Sequence, residues 1–135
     1  MLFVVVGNNI CVSALVFGGK PALTLQLATA GVFQLVVSEA VQAKAEGTLT
    51  RKFGWDAEHF APIAAELWRD ARHATPTQPV KVSRDPDDDH TLACALDAHA
   101  QVILTGDGDL LSLHPYREIA ILTPAQFLEA KPWHS

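Results

Sequence analysis

The run from Leu2 to Val6 places the strongest limit on what this chain can fold into. It is continuously apolar, rich in β-branched residues, and ended by Gly7-Asn8-Asn9. A strand without polar alternation is typical of a parallel sheet that is covered on both faces. We therefore predict that this run forms the central strand of such a sheet.

Strand-like segments alternate with helical patterns along the rest of the chain. Further strands are predicted at 32–37, 101–104 and 119–122, with a short extended piece at 80–83. Helices are predicted at 10–17, at 21–30, from Ser38 to about Leu49, from Asp56 to about Ala74, after Asp85 and after Thr123. Helix-length connections imply parallel pairing, so the sequence predicts one α/β domain with a mainly parallel sheet and helices on both faces. Ligands in such folds gather at the carboxyl ends of strands.

The charge balance limits the partners that the chain can attract. Ten basic against fifteen acidic residues give a formal charge of −5, so any contact with nucleic acid must be local. A solvated surface position is the favoured interpretation for each residue that could form a local patch, namely Lys20, Arg51, Lys52, Lys81 and Arg84.

Other common kinds of site find little support. Cys11 and Cys94 lack metal-type spacing and are predicted to be buried thiols. The absence of a Gly-rich phosphate loop and of a nucleophile elbow disfavours hydride transfer, ATP use and acyl transfer. The apolar start fits neither a signal peptide nor a membrane span, so a cytoplasmic location is expected.

Carboxylates concentrate in two short segments. They are Asp85, Asp87, Asp88 and Asp89 at the predicted start of a helix, and Asp107 and Asp109 after a predicted strand. Carboxylates about 4 Å apart repel by a few kcal/mol at an effective dielectric near 20, and a hard cation relieves that repulsion. Ligands that are all oxygen favour Mg²⁺ or Mn²⁺ over zinc.

The same aspartates also have a purely structural interpretation. Asp-Pro-Asp-Asp-Asp describes a well-capped helix N-terminus, stabilised by the macrodipole without any metal. The segment 105–111 likewise describes a polar turn in which Asp109 caps a helix. The two interpretations remain open at this point.

Six short motifs, taken in order, resemble the PIN-domain family. They are VSALVFGGKPA (12–22), LVVS (35–38), RKF (51–53), DPDDDHTLACAL (85–96), TGDGDLL (105–111) and ILTPAQFL (121–128). The resemblance covers nearly the whole chain and is to the subgroup of toxins from toxin–antitoxin pairs. It implies a PIN-like three-layer sandwich over residues 1–130 with a C-terminal tail at 131–135.

The family resemblance implies a Mg²⁺- or Mn²⁺-dependent ribonuclease, in which carboxylates bind metal that activates water against a phosphodiester. Asp89 matches the helix-opening ligand, with Asp88 as its fallback, and Asp107 matches the strand-end ligand. The candidate catalytic residues are Asp89, Asp107, Asn9 and Thr105, and the candidate metal ligands are Asp89, Asp107, Asp88 and Asp109. Implied partners are RNA, an antitoxin protein and a second copy of the chain, with no membrane.

Two positions depart from the family pattern. The family reads Asp-Thr-Asn or similar after the first strand, where this chain has Gly7. It places a glutamate about six residues after Ser38, where this chain has Lys44. Glu46 is turned roughly 140° from the face of Val41 and does not substitute for that glutamate.

The departures lead to a hypothesis about Lys44 and to two possible functions. Lys44 is expected to replace the metal with a salt bridge to Asp89 and Asp107. The chain is then either a PIN ribonuclease with an impaired site or a non-catalytic PIN-fold module that binds RNA or a protein partner.

Overall fold

Five parallel strands form one sheet in the computed structural model, which describes residues 1–134. The strands are β1 Phe3–Val6, β2 Gln34–Val37, β3 Arg72–His73, β4 Val102–Leu104 and β5 Ala120–Leu122. The helices are α1 Asn8–Phe17, α2 Gly19–Thr29, α3 Glu39–Phe53, α4 Ala57–Trp68, α5 Pro86–Asp97, α6 Gly108–Leu111 and α7 Pro124–Ala130. The sheet order is β3-β2-β1-β4-β5. The predicted α/β fold with a parallel sheet is confirmed.

The central strand is β1, as the apolar run predicted. It pairs with β2 on one side and β4 on the other, and Val4, Val5 and Val6 are almost completely buried. Val4 and Val6 belong to a core cluster that includes Leu49 of α3. Val5 belongs to a second cluster that includes Leu92 of α5. Helices thus cover both faces of the sheet, which explains why every position of the strand is apolar.

The carboxyl ends of β1 and β4 meet at one edge of the sheet. The backbone N–H of Gly7, directly after β1, donates to the carbonyl oxygen of Leu104, the last residue of β4, at 3.1 Å. Residues that follow these two strands must therefore emerge side by side. This edge is where a parallel α/β fold is expected to place a ligand site.

The helix starts follow local capping chemistry. At four of the helices the N-cap side chain predicted from the sequence accepts a hydrogen bond from a backbone N–H of the first turn, which supplies an acceptor that the helix itself lacks. The caps are Ser38 for α3, Asp56 for α4, Asp85 for α5 and Thr123 for α7. All four were predicted from the sequence.

The segment after Trp68 corrects the prediction. The helix expected to reach about Ala74 ends at Trp68, and Arg72 and His73 form the edge strand β3. These residues pair with Val36 and Val37 of β2, so tertiary hydrogen bonds outweigh the helical apolar spacing. The extended piece expected at 80–83 lies outside the sheet.

The predicted tail carries a packed tryptophan. The ring of Trp133 lies 4.9 Å from that of Phe127 and 6.5 Å from that of Phe33, centroid to centroid. Ser135, the last residue of the predicted tail, lies outside the described residues. Cys11 and Cys94 are buried free thiols, as predicted.

Within residues 1–134, no single helix is long and apolar enough to cross a membrane. The pair α1 and α2 passes the same test by length and composition, with a bend of 105° between the two helices.

Candidate functional site

A depression lies at the edge of the sheet where β1 and β4 end. Its volume of about 170 Å³ holds about five molecules the size of water, at roughly 30 Å³ each. The lining residues come from the ends of β1 and β4 and from the first two turns of α5, with others from the starts of α1 and α6 and Lys44 from α3. They are Gly7, Asn8, Asn9, Lys44, Asp85, Asp87, Asp88, Thr91, Thr105, Asp107 and Leu110.

Three carboxylates converge in this depression. Asp85, Asp88 and Asp107, which we call the carboxylate triad, each contribute one oxygen to a group whose members all lie within 4.8 Å of one another. Asp85 is the residue before α5, Asp88 lies in the first turn of α5, and Asp107 lies in the loop after β4. None of the three forms an ion pair with a basic side chain of residues 1–134.

Capping and clustering are compatible for two members of the triad. Asp85 accepts the backbone N–H of Asp87 at 2.9 Å and caps α5. Asp107 accepts the N–H of Asp109 at 2.8 Å and caps α6, a position that the sequence assigned to Asp109. A carboxylate has two oxygens and about four lone pairs, so a capping residue keeps acceptor capacity for another ligand. The capping interpretation is therefore correct for Asp85 and Asp107, and it does not exclude a metal ion at the same residues.

Asp88 is the buried member of the triad, with only 5% of its surface exposed. Burial raises the pKa of Asp88 to about 6, and the hydrogen bond and the charge of Asp107 add to the rise. The hydroxyl of Ser83 donates to Asp88 at 3.1 Å and acts in the opposite direction. The negative charge of Asp88 is therefore costly unless a positive charge joins the triad.

This raised pKa predicts how stability depends on pH when a chelator is present. The folded chain binds the Asp88 proton more tightly than the unfolded chain, so stability falls as pH rises from 3.8 to about 6. Asp88→Asn should therefore gain on the order of 2 kcal/mol at pH 7, because each tenfold change in a proton-binding constant is worth roughly 1.4 kcal/mol. That gain corresponds to a melting temperature about 7 °C above that of the native chain.

Thermal melts in EDTA at pH 7 and pH 3.5 measure this effect. The difference between the native chain and Asp88→Asn should shrink toward zero at the lower pH, where both side chains are neutral. A native chain that melts at or above the temperature of the variant at pH 7 would contradict the prediction.

Asp89 lies outside the triad although the sequence favoured it over Asp88. Its carboxylate accepts the backbone N–H groups of Val82 and Ser83, at 3.0 and 2.8 Å. Successive helical residues differ by about 100° in direction, so Asp88 faces the end of β4 while Asp89 faces the segment before α5. The structure thus brings the fallback residue, Asp88, together with Asp107.

Asp109, also a candidate ligand, points away from the triad. It forms a two-pronged ion pair with Arg84 at 2.9 and 3.0 Å. One guanidinium nitrogen of Arg84 thus donates to both carboxylate oxygens of Asp109, which makes the contact charge-assisted. Asp109 therefore contributes to the loop between β4 and α6 and not to the three-carboxylate group.

Lys44 pairs with a different aspartate from the ones expected. Its ammonium group contacts the carboxylate of Asp87, and the two side chains are 45% and 46% exposed. The expected salt bridge to Asp89 and Asp107 is absent from the described residues. Glu46 is exposed and does not line the depression.

Gly7 leaves room for the aspartate that the family resemblance led us to expect at this position. Its φ of −69° and ψ of 156° suit any residue, and an added Cβ would meet only the carbonyl oxygen of Leu104, at an ordinary 3.6 Å. An aspartate could therefore be introduced at this position without moving the backbone.

Three polar residues surround the triad. Thr105 is buried, and its hydroxyl accepts the backbone N–H of Asp107 at 3.0 Å, which fixes the start of that loop. The side-chain amide of Asn8 donates to Asn9 at 3.4 Å, and both residues line the depression. Asn9 and Thr105 thus lie at the edge predicted for them, while Asn8 was not singled out.

The contact of Ser38 with His90 was not predicted from the sequence. The two side chains are 2.8 Å apart, and His90 also lies 3.4 Å from the thiol of Cys94. Burial lowers the pKa of His90, which favours the neutral imidazole. The spacing of His90 and Cys94, one helical turn apart, is the only sequence signal for this contact.

Comparison with known proteins agrees with the fold. A family model described as PIN domain matches residues 4–109, a range that includes the whole triad. None of the curated proteins compared with the chain matches it. Since the family model covers well over half of the chain and the sheet is of the expected type, the chain belongs to the PIN-domain family and has its nuclease-type fold.

Proposed function

We propose that this chain is a ribonuclease of the toxin type that depends on Mg²⁺ or Mn²⁺, and that Asp88 and Asp107 hold the cation with Asp85 in reach. The observation that carries the proposal is the convergence of three carboxylates without a basic partner in the part of the chain described. The RNA substrate, an antitoxin partner, a homodimer and a cytoplasmic location rest on the family resemblance.

The donor set fits a hard divalent cation. All three side chains offer oxygen, which Mg²⁺ and Mn²⁺ prefer. Asp88 is buried and its pKa is raised, so a cation that enters the depression stabilises the ionised form of its carboxylate. Mg²⁺ often binds through one or two protein carboxylates and keeps several waters, so the missing aspartate at position 7 does not exclude binding.

Each residue at the edge has a part in such a reaction. When bound, the cation would supply Lewis acidity, lowering the pKa of water and offsetting charge on the phosphoryl oxygens. Asp88 and Asp107 would bind the cation, and Thr105 holds the backbone of Asp107 in place. The amides of Asn8 and Asn9 can donate to a phosphate oxygen at the mouth of the depression.

Gly7 and Lys44 favour a weakened site. A carboxylate at position 7 would add a further oxygen to the triad, and a positive charge at position 44 opposes a cation nearby. These two residues also support the second candidate function, a PIN-fold module that binds RNA or a protein partner without cutting.

RNA cleavage in Mn²⁺ by the native chain and by the double variant Gly7→Asp/Lys44→Glu separates the candidates. We expect slow cleavage by the native chain and a rate at least about tenfold higher for the variant, which regains two carboxylates. Adding EDTA should abolish both rates. Cleavage by the variant alone would favour the non-catalytic module, and cleavage by neither would overturn the ribonuclease proposal.

A further inference from the structure

The ion pair between Lys44 and Asp87 lies in the same depression as the carboxylate triad. Lys44 comes from α3 and Asp87 from the first turn of α5, and both line the depression. Asp87 itself is outside the group of carboxylates that lie within 4.8 Å of one another. The ammonium of Lys44 is therefore held by an acidic residue that is not a member of the triad.

We infer that Asp87 is a positioning residue, which keeps the Lys44 ammonium away from the triad and so leaves the triad free for a divalent cation. The inference deepens the proposed function and rests on it, because it explains how a site with a lysine at its edge can bind metal. Under this inference, Asp87 neither caps a helix nor binds the metal, and it acts only through Lys44.

Lys44 needs Asp87 as its partner because other carboxylates in the same depression could bind its ammonium group. If Asp87 lost its charge, the flexible lysine side chain would find the clustered oxygens of Asp85, Asp88 and Asp107 in the same depression. An ammonium there relieves the same repulsion that a metal ion relieves. The lysine and the cation would then compete for one place, and the affinity for metal would fall.

Asp87 could also strengthen metal binding in two ways that do not involve Lys44. Its charge could add negative field to the site, or its carboxylate could bind the cation through water. In either case, neutralising Asp87 would weaken metal binding whether or not a lysine is present at position 44. Under the positioning role, the loss depends on Lys44, so the two substitutions are not additive.

Dissociation constants for Mn²⁺, measured on the full chain by electron paramagnetic resonance of free Mn²⁺, test this dependence. The four proteins are native, Asp87→Asn, Lys44→Gln and Asp87→Asn/Lys44→Gln. We expect Asp87→Asn to weaken binding at least about tenfold when Lys44 is present and no more than about threefold when it is Gln. Equal losses in the two backgrounds would overturn the inference.

Asp109→Asn is the matched control for the loss of one surface charge. Asp109 is 48% exposed and has a basic partner, as Asp87 has. Its neutralisation should change the Mn²⁺ affinity no more than about threefold, and Asp87→Glu, which retains the charge, should behave like the native chain. A loss from Asp109→Asn as large as that from Asp87→Asn would assign the effect to general charge and overturn the inference.

Nuclear magnetic resonance of the lysine ammonium groups distinguishes failure of this inference from failure of the proposed function. Without metal, the Lys44 ammonium should correlate with the carboxyl of Asp87 in the native chain and with Asp88 or Asp107 in Asp87→Asn. If the native chain binds no Mn²⁺ at all, the proposed function is overturned, and this measurement still decides where Lys44 lies. A Lys44 ammonium that remains in solvent in Asp87→Asn would contradict the positioning role.

Discussion

Asp88→Asn is expected to weaken Mn²⁺ binding at least about 100-fold and to reduce RNA cleavage to the level seen in EDTA. Unit charges about 4 Å apart interact by about 4 kcal/mol at an effective dielectric of 20, and a 100-fold loss needs only roughly 2.7 kcal/mol. Asp88 is buried within the triad, so its charge is poorly screened. Titration with Mn²⁺, followed by a cleavage assay, measures both effects.

Asp89→Asn is the matched control, since it makes the same chemical change at the next residue. Its carboxylate accepts N–H groups of Val82 and Ser83, and an asparagine oxygen can still accept them. Metal affinity should therefore change by no more than about threefold. If Asp89→Asn lost binding and Asp88→Asn kept it, the sequence motif would have identified the ligand better than the geometry.

The same substitution should have opposite effects on stability and on metal binding. Asp88→Asn removes a costly buried charge and should stabilise the chain in EDTA, yet it also removes a ligand. Saturating metal at 100 times its dissociation constant stabilises a protein by about 2.7 kcal/mol. Mn²⁺ should therefore raise the melting temperature of the native chain and leave that of Asp88→Asn nearly unchanged.

Phe127→Ala is expected to destabilise the fold by about 3–5 kcal/mol, the usual loss for a fully buried phenylalanine. Phe127 of α7 has no exposed surface, and its ring lies 5.2 Å from that of Phe33 and 4.9 Å from that of Trp133. Removing the ring leaves a cavity where α7 and Trp133 meet the core. Since the free energy of unfolding of a domain is about 5–15 kcal/mol, this substitution would remove much of it.

Phe17→Ala removes the same ring from an exposed position and serves as the control. Phe17 is 74% exposed, and its ring centroid lies 5.9 Å from that of Phe53. Its loss should cost no more than about 1 kcal/mol. Urea denaturation with linear extrapolation measures both changes. Similar losses for the two variants would mean that the packing of α7 and Trp133 does not depend on the Phe127 ring.

Much of the fold could be predicted because it depends on local patterns. The apolar run at β1, the caps Ser38, Asp56 and Thr123, and the turn after β4 each follow from neighbouring residues in the sequence. The edge strand β3 could not, since its two residues are exposed and only pairing with β2 makes them a strand. Local propensity was outweighed there by hydrogen bonds to a distant segment.

The site was predictable in part for the same reason. The sequence by itself determined that acidic residues would follow β4 and open α5 and that Gly7 would lie at the edge of the sheet, and the family resemblance added Lys44 to that edge. Only the tertiary structure decided that Asp88 and not Asp89 meets Asp107, that Asp85 joins them, and that Lys44 pairs with Asp87. Periodicity gives the face of each helix to within a residue or so, whereas ion pairs and carboxylate contacts depend on distances of a few ångströms between separate elements. Those distances are set by how α3 and α5 pack on the sheet, and so by the whole fold.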